Sequence, residues 1–482
     1  MSIFTRTTNK ALAVKGTGKP TTDLFFNIGS ARQAQERVKD LFDKSCLFDM
    51  NTTAAILCWV RDIRSGGAGE RTSFRTCLKE LILSNPELAL KVINLIPKIG
   101  RFDDLRVAIG TTLESQALNI WKTALDEGNL LAFKWVNIKK DTKLRNLYGM
   151  NGRDFRKFIA GARKGKIVED LMCNNQWSEI KYEHVPSVAS SRYGKSFGRH
   201  DEVRYSTWKN SKETKANAAV LYPYDVYRTA KHDDALATKL WDNLPKLETG
   251  KNILPMADVS GSMSCRASGS VTCLDVSVSL ATYLAQNNTG IFRNKILTFS
   301  ENPTIVTLPE KSNSILTVFS FLESVNWGMN TDFEKAFRLI LVQAKRNNVS
   351  QKDMPEIILV LSDMQFDQAT SVNPFGTIKA KHVKTADLWG KEEPEDEKED
   401  ETTMHGQMSR EFKLAGYKLP TIVYWNLNAA YDNYPTLATK GVAMVSGFSP
   451  NIMKSVVKDG IVSPDKVMED AISKYREMLE TE

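Results

Sequence analysis

Ile253-Leu-Pro-Met-Ala-Asp-Val-Ser-Gly-Ser262 decides the fold of the second half of this chain. Ile253 to Ala257 is an apolar run of strand length that stops at a carboxylate, Asp258. A tight, hydroxyl-rich turn follows, and from about Thr272 to Gln286 the sequence is helix-like. A buried strand that passes through a polar turn into a helix is the repeating unit of an open α/β sheet. Ligands of such sheets gather at the carboxyl ends of the strands.

The alternation continues outward. Lys295 to Phe299 and Thr304 to Leu308 are expected strands, and Thr331 to Arg346 is an expected helix with Phe333, Ala336, Phe337, Ile340 and Leu341 on its apolar side. Glu356-Ile-Ile-Leu-Val-Leu-Ser-Asp363 is an unbroken apolar run, which implies burial on both faces, as in a parallel sheet. Pro420 to Trp425 and Val442 to Val445 are two further strands, and Ser463-Pro464 is an N-cap and first-turn pair for a last helix. Residues 250–482 therefore read as a doubly wound α/β domain. An irregular stretch at about 371–404 interrupts it, and its acidic centre, Glu392 to Glu401, has too little apolar surface to order itself. That insertion is expected to be disordered.

Residues 1–249 read as an all-α module. Apolar residues recur at three- and four-residue spacings in Ser30 to Phe48, Arg75 to Leu83 and Thr112 to Glu127. Asn85-Pro86 starts another helix, with Pro86 at a tolerated first-turn position. Short polar breaks between helices suit antiparallel pairs stacked as a bundle or a helical-repeat solenoid.

Charge divides the same way. The chain carries 65 Lys and Arg against 57 Asp and Glu, a net +8. Residues 1–250 hold 41 and 28 of these, or +13, which leaves 24 and 29, or −5, for residues 251–482. A basic module that meets an anion is thus joined to an acidic module with another task. The six cysteines form no CxxC pair, which argues against a zinc site and for a reducing, cytoplasmic home. No apolar run approaches the roughly 20 residues that span a bilayer, and the first 16 residues lack the apolar core of a secretory signal.

Asp258, Ser260 and Ser262 place one carboxylate and two hydroxyls at alternate positions of the turn. These are hard oxygen donors suited to Mg²⁺, and also to Mn²⁺ or Ca²⁺. One negative charge among three donors leaves coordination positions for water or an incoming anion. Thr331, at the start of a helix, and Asp363, at the end of the strongest strand, are two more candidate ligands. No base stands near the loop to activate a metal-bound water, which argues against a metal-dependent hydrolase.

These five residues, in this order, resemble the metal-ion-dependent adhesion site of von Willebrand factor A domains. The resemblance implies that Ser260, Ser262 and Thr331 ligate the ion directly or through water and that Asp258 and Asp363 hold it partly through water. It also implies that an Asp or Glu of a protein partner takes the open position.

The helical half has its own signal. Leu131 to Lys166 contains 11 basic residues against Asp141 and Asp154. Lys139, Lys140, Lys143, Arg145, Arg153, Arg156 and Lys157 are candidate RNA contacts, with Trp135, Tyr148, Phe155 and Phe158 interleaved. A second cluster contains Arg192, Lys195, Arg199, His200, Arg204 and Lys209 among further aromatics, and of these Arg199, His200 and Arg204 are singled out. Cations neutralise phosphates and aromatics stack on unpaired bases. Equally, the rings could face the core and the charges form a solvated outer face.

A helical module followed by a von Willebrand A domain resembles the Ro ribonucleoprotein type, whose TROVE module is built of HEAT-like helices. Trp177-Ser-Glu-Ile-Lys-Tyr-Glu-His-Val-Pro-Ser187, Leu221-Tyr-Pro-Tyr-Asp225, Leu361-Ser-Asp-Met-Gln-Phe366, Tyr424-Trp-Asn-Leu427 and Val445-Ser-Gly-Phe-Ser-Pro450 resemble more closely an uncharacterised TROVE-like family of bacteria, their viruses and eukaryotes. The resemblance implies a non-enzymatic scaffold that binds single-stranded or structured small RNA. The other reading is a metal-dependent adaptor, such as a partner of a remodelling ATPase or chaperone, with no RNA role.

Overall fold

Ile357–Ser362 is buried along its whole length, as its unbroken apolar run requires, and it lies inside a six-stranded sheet. The structure, a computed structural model, describes residues 4–6, 12–14, 17–29, 31, 34–64, 66–218, 221–246, 251–259, 261–268, 270–298, 303–310, 314–325, 333–363, 404–428, 442–447 and 464–482. The expected acidic insertion at about 371–404 falls outside these residues except for its last position, Met404, which opens the helix Met404–Leu414.

The sheet strands are β1 (Ile253–Ala257), β2 (Lys295–Thr298), β3 (Ile305–Thr307), β4 (Ile357–Ser362), β5 (Thr421–Asn426) and β6 (Val442–Ser446). Their spatial order is β6-β5-β4-β1-β2-β3. All neighbours are parallel except β3, which closes the edge antiparallel to β2. This is the doubly wound order, and the sequence reading of a mostly parallel sheet holds. Pro255 in the central strand β1 is tolerated for a local reason. Even-numbered residues exchange bonds with β4, as when the Asp258 amide donates to Leu361 at 2.9 Å. The missing N–H of Pro255 therefore faces β2, whose ladder with β1 begins only at Met256.

Met256, Ile358, Val360 and Tyr424 from the strands pack with Phe337, Ile340 and Phe412 from two helices in one buried cluster. Phe26, from the helix Pro20–Ile28, joins the same cluster. Gly29 follows that helix, and a Cβ there would stand 2.8 Å from the backbone oxygen of Ser446, so no side chain fits. The helix Cys273–Asn287 is nailed at its start by a capping box. Its Thr272 hydroxyl accepts the Asp275 amide at 3.1 Å, and the Asp275 carboxylate accepts the Thr272 amide at 3.0 Å.

The chain divides into two compact units, residues 1–37 with 246–470, and residues 38–245 with 471–482. The interior division at 245/246 lies close to the expected 249/250 boundary. Each terminus, however, is grouped with the unit remote from it in sequence. Phe26 belongs to the α/β core, and Tyr475 donates through its hydroxyl to Asp62 at 2.6 Å within the helical unit.

The helical unit is built of α-helices with 3-10 turns. Asn85 caps Pro86–Ile99 by accepting the Leu88 amide at 3.0 Å, so the Asn85-Pro86 start read from sequence is where the helix begins. A buried ion network ties its helices together. Arg61 meets Asp104 at 2.7 Å with both side chains essentially sealed from water, and Arg75 reaches both Asp103 and Asp104. Removing one member would strand the other's charge, which makes such pairs costly to break.

Candidate functional site

The chain leaves β1 for β2 and β3 and returns to β4 on the other side, so the topological switch lies between β1 and β4. Asp258 follows β1 and Asp363 follows β4, and they are only 2% and 3% exposed. Hydrogen bonds to three residues help to fix Asp258. Its amide donates to Leu361, its carbonyl accepts the Ser277 hydroxyl at 2.9 Å, and its Oδ2 accepts the Ser362 hydroxyl at 2.7 Å. Ser262 stands half-buried in the 3-10 turn Gly261–Ser264 beyond Asp258.

Of the five expected ligands, the structure brings Asp258 and Asp363 to neighbouring strand ends and sets Ser262 in the turn after the first. Ser260 and Thr331 lie outside the described residues. Among the described residues no group of three or more His, Cys, Asp and Glu side chains could hold a metal, so any ion here would depend on hydroxyl ligands as well. The donor chemistry fits that condition, because carboxylate and hydroxyl oxygens are what Mg²⁺ takes. Sequence reasoning missed Ser362. Its position before Asp363 was visible, but that its hydroxyl meets Asp258 depends on β4 lying beside β1.

In the helical unit, Asn151 caps Gly152–Arg163 by accepting the Arg153 and Asp154 amides. Phe155 and Ile159 face inward from this helix, while Arg153, Arg156 and Lys157 are exposed. These three, with exposed Lys139 and Lys140, have no ion-pair partner among the described residues. Other expected contacts have intramolecular work. Lys143 pairs with Glu114 at 2.6 Å, and Arg145 donates to the Asn146 side chain at 3.2 Å. Arg204 donates to the carbonyls of Trp177 and Ile180 and pairs with Asp201 at 2.8 Å. His200 stacks on Trp177, ring centroids 4.4 Å apart, whereas Arg199 is exposed.

Of the interleaved aromatics Phe155 is buried, and Trp135, Tyr148 and Phe158 are half-buried. Tyr148, Phe155 and Phe158 pack on one another and Phe158 packs on Phe133. The Tyr148 hydroxyl donates to Asp126 at 2.7 Å, and Arg101 covers the Trp135 ring at 3.3 Å. The packing of these rings on one another agrees with the core-facing reading, because a helix three turns long needs an apolar face to dock.

A cleft of about 680 Å³ opens between helices Ser187–His200, Glu202–Asn210, Pro223–Ala230 and Asp234–Asp242. Arg192, Lys195, Lys209, Arg228 and His232 line it with Tyr205. Lys209 pairs with Asp233 at 3.0 Å, while Arg192 and Lys195 have no ion-pair partner among the described residues. Tyr205 is 3% exposed; burial, and then the Asp233 carboxylate, push its phenol above the usual range. Arg228 and His232 carried no sequence signal, since only the packing of later helices brings them here.

The fold thus defines a two-unit protein, an open α/β sheet with an acidic, hydroxyl-bearing crevice and a helical unit with an outward basic face. Residues 252–481 match the model of a domain of unknown function (DUF7788), and residues 137–253 match a second domain of unknown function (DUF2828). The two matches meet near the 245/246 division, and neither spans half the chain. The chain is 23% identical to uncharacterized protein L728 of Acanthamoeba polyphaga mimivirus, over 98% of its own length and 88% of that protein. Among solved structures it is similar to the Ro (RSR) protein of Deinococcus radiodurans, with 14% identity, coverage of 94% of this chain and 87% of the other, and a TM-score of 0.32. No helix among the described residues is long and apolar enough to cross a membrane.

Proposed function

We infer that this protein is a non-enzymatic RNA-binding scaffold of the Ro type, with a helical TROVE-like module and a von Willebrand A-type domain that docks a partner through a metal ion. The observation that carries the RNA half is the set of exposed cations at Lys139, Lys140, Arg153, Arg156 and Lys157 that no carboxylate neutralises among the described residues. A face with uncompensated cations whose aromatics are largely engaged with one another suits phosphate, so binding is expected to depend on salt more than on base identity. The metal half draws support from Asp258 and Asp363 at the switch point. Asp258, Ser260, Ser262, Thr331 and Asp363 would hold Mg²⁺ or a similar hard cation. When bound, the ion supplies a Lewis-acid position for an Asp or Glu of the partner.

The test is the affinity for a fluorescent single-stranded RNA measured across salt concentration. Binding that weakens linearly on a log–log plot supports the reading, and no affinity at low salt overturns it. The second reading, a metal-dependent adaptor with no RNA role, is favoured by the packing of the rings on one another beneath the basic face. In that case the Mg²⁺ site survives and RNA affinity is absent.

A further inference from the structure

Two thiols that the crevice does not use meet beside it. Cys265 follows the turn Gly261–Ser264, and Cys273 is the first residue of the helix Cys273–Asn287. Between them a short hairpin pairs Arg266 with Thr272, and the Cys273 amide donates to the Cys265 carbonyl at 3.0 Å. The hairpin holds the two backbones together, and the sulfur atoms stand 3.3 Å apart. A disulfide needs about 2.05 Å, so the two sulfurs are already near bonding range.

The sulfurs have unlike surroundings. Cys265 is partly exposed, and its Sγ accepts the Asn428 side-chain amide at 3.3 Å. Cys273 is sealed from solvent, and its S–H donates to the Leu427 carbonyl at 3.5 Å. An N–H donor favours the thiolate, and a carbonyl acceptor favours the thiol. An accessible sulfur that accepts an N–H, beside a buried one, is the division between an attacking and a resolving cysteine.

We propose that Cys265 and Cys273 form a reversible, peroxide-reactive dithiol in which Cys265 attacks and Cys273 resolves. The Cys265 thiolate attacks one oxygen of hydrogen peroxide; an S–O bond forms, the O–O bond breaks, and hydroxide leaves to take a proton as water. Cys265 is then a sulfenic acid. The Cys273 sulfur attacks it; the S–S bond forms, the S–O bond breaks, and the Cys273 proton leaves with the departing hydroxyl as a second water. Two thiols have lost two electrons, and one peroxide has gained them. A small dithiol such as dithiothreitol reverses the change. The dithiol stands on the sulfur geometry and needs no metal at Asp258.

The full chain, reduced and desalted, is treated with stoichiometric hydrogen peroxide, alkylated and digested with trypsin without reduction. Cleavage after Arg266 separates the two cysteines, so their disulfide appears as a linked pair, residues 252–266 with 267–293. The expected result is loss of the two thiols into that pair, with full return after dithiothreitol. In Cys273→Ser, Cys265 should instead be trapped by dimedone, and in Cys265→Ser, Cys273 should stay reduced at the same dose. Exposed Cys173 is the internal comparison. Wild-type protein in which Cys265 stays alkylatable while Cys173 is oxidised overturns the proposal, whatever the variants do.

Discussion

The Ser362 hydroxyl donates to Oδ2 of Asp258 at 2.7 Å, joining a residue at the end of β4 to the residue that follows β1 across a buried strand pair. This bond orients one of the two crevice carboxylates from behind, as supporting shells orient metal ligands. Asp258→Ala should abolish Mg²⁺ or Mn²⁺ binding by calorimetry with the circular-dichroism spectrum unchanged. Ser362→Ala should weaken it by about 10- to 100-fold. Wild-type affinity in Asp258→Ala would end the metal assignment.

On the basic face, replacing Lys139, Lys140, Arg156 and Lys157 together by Ala should flatten the salt dependence of RNA binding. The slope should fall by roughly 0.7 for each phosphate contact removed. Arg204→Ala should act differently, because Arg204 satisfies the Trp177 and Ile180 carbonyls. Its loss is expected to lower the melting temperature. If Arg204→Ala instead changes the salt slope with no change in melting, Arg204 contacts phosphate after all.

Stability should also depend on acid. Burial opposes the charge on Asp103, yet the Arg101 and Arg75 guanidiniums outweigh it and hold its carboxyl below the usual range. A depressed carboxyl contributes stability above its unfolded value, about 3.9, and that contribution is lost as pH falls through the folded value. Urea unfolding followed by tryptophan fluorescence should show falling stability below about pH 4. Asp103→Asn should show a shallower acid slope, and an unchanged slope would assign the effect to other carboxylates.

Tyr475 carries a structural prediction. Its buried hydroxyl donates to Asp62, and burial, then that carboxylate, push the phenol far above its ordinary value. Tyr475→Phe leaves Asp62 short of a donor and should cost about 1–3 kcal/mol in urea denaturation. A loss within error would mean that water or Lys474, 3.2 Å from Asp62, replaces the bond.

Much of this was legible in order along the chain. The unbroken run Ile357 to Leu361 could be buried only between two strands, and Asn85-Pro86 could only begin a helix, because local sterics and solvation decide both. Asp258 and Asp363 were legible as candidate ligands, since each stands where a strand ends. The destination of the aromatics was not legible. Phe155 in a basic helix can face water and bases or a core, and the sequence spacing is the same for both. The tertiary structure decided that, as it decided that Ser362 meets Asp258, that Cys265 meets Cys273, and that each terminus is grouped with the unit remote from it in sequence. Local pattern is set by neighbours within a few residues, whereas these pairings depend on which strands and helices come to lie side by side.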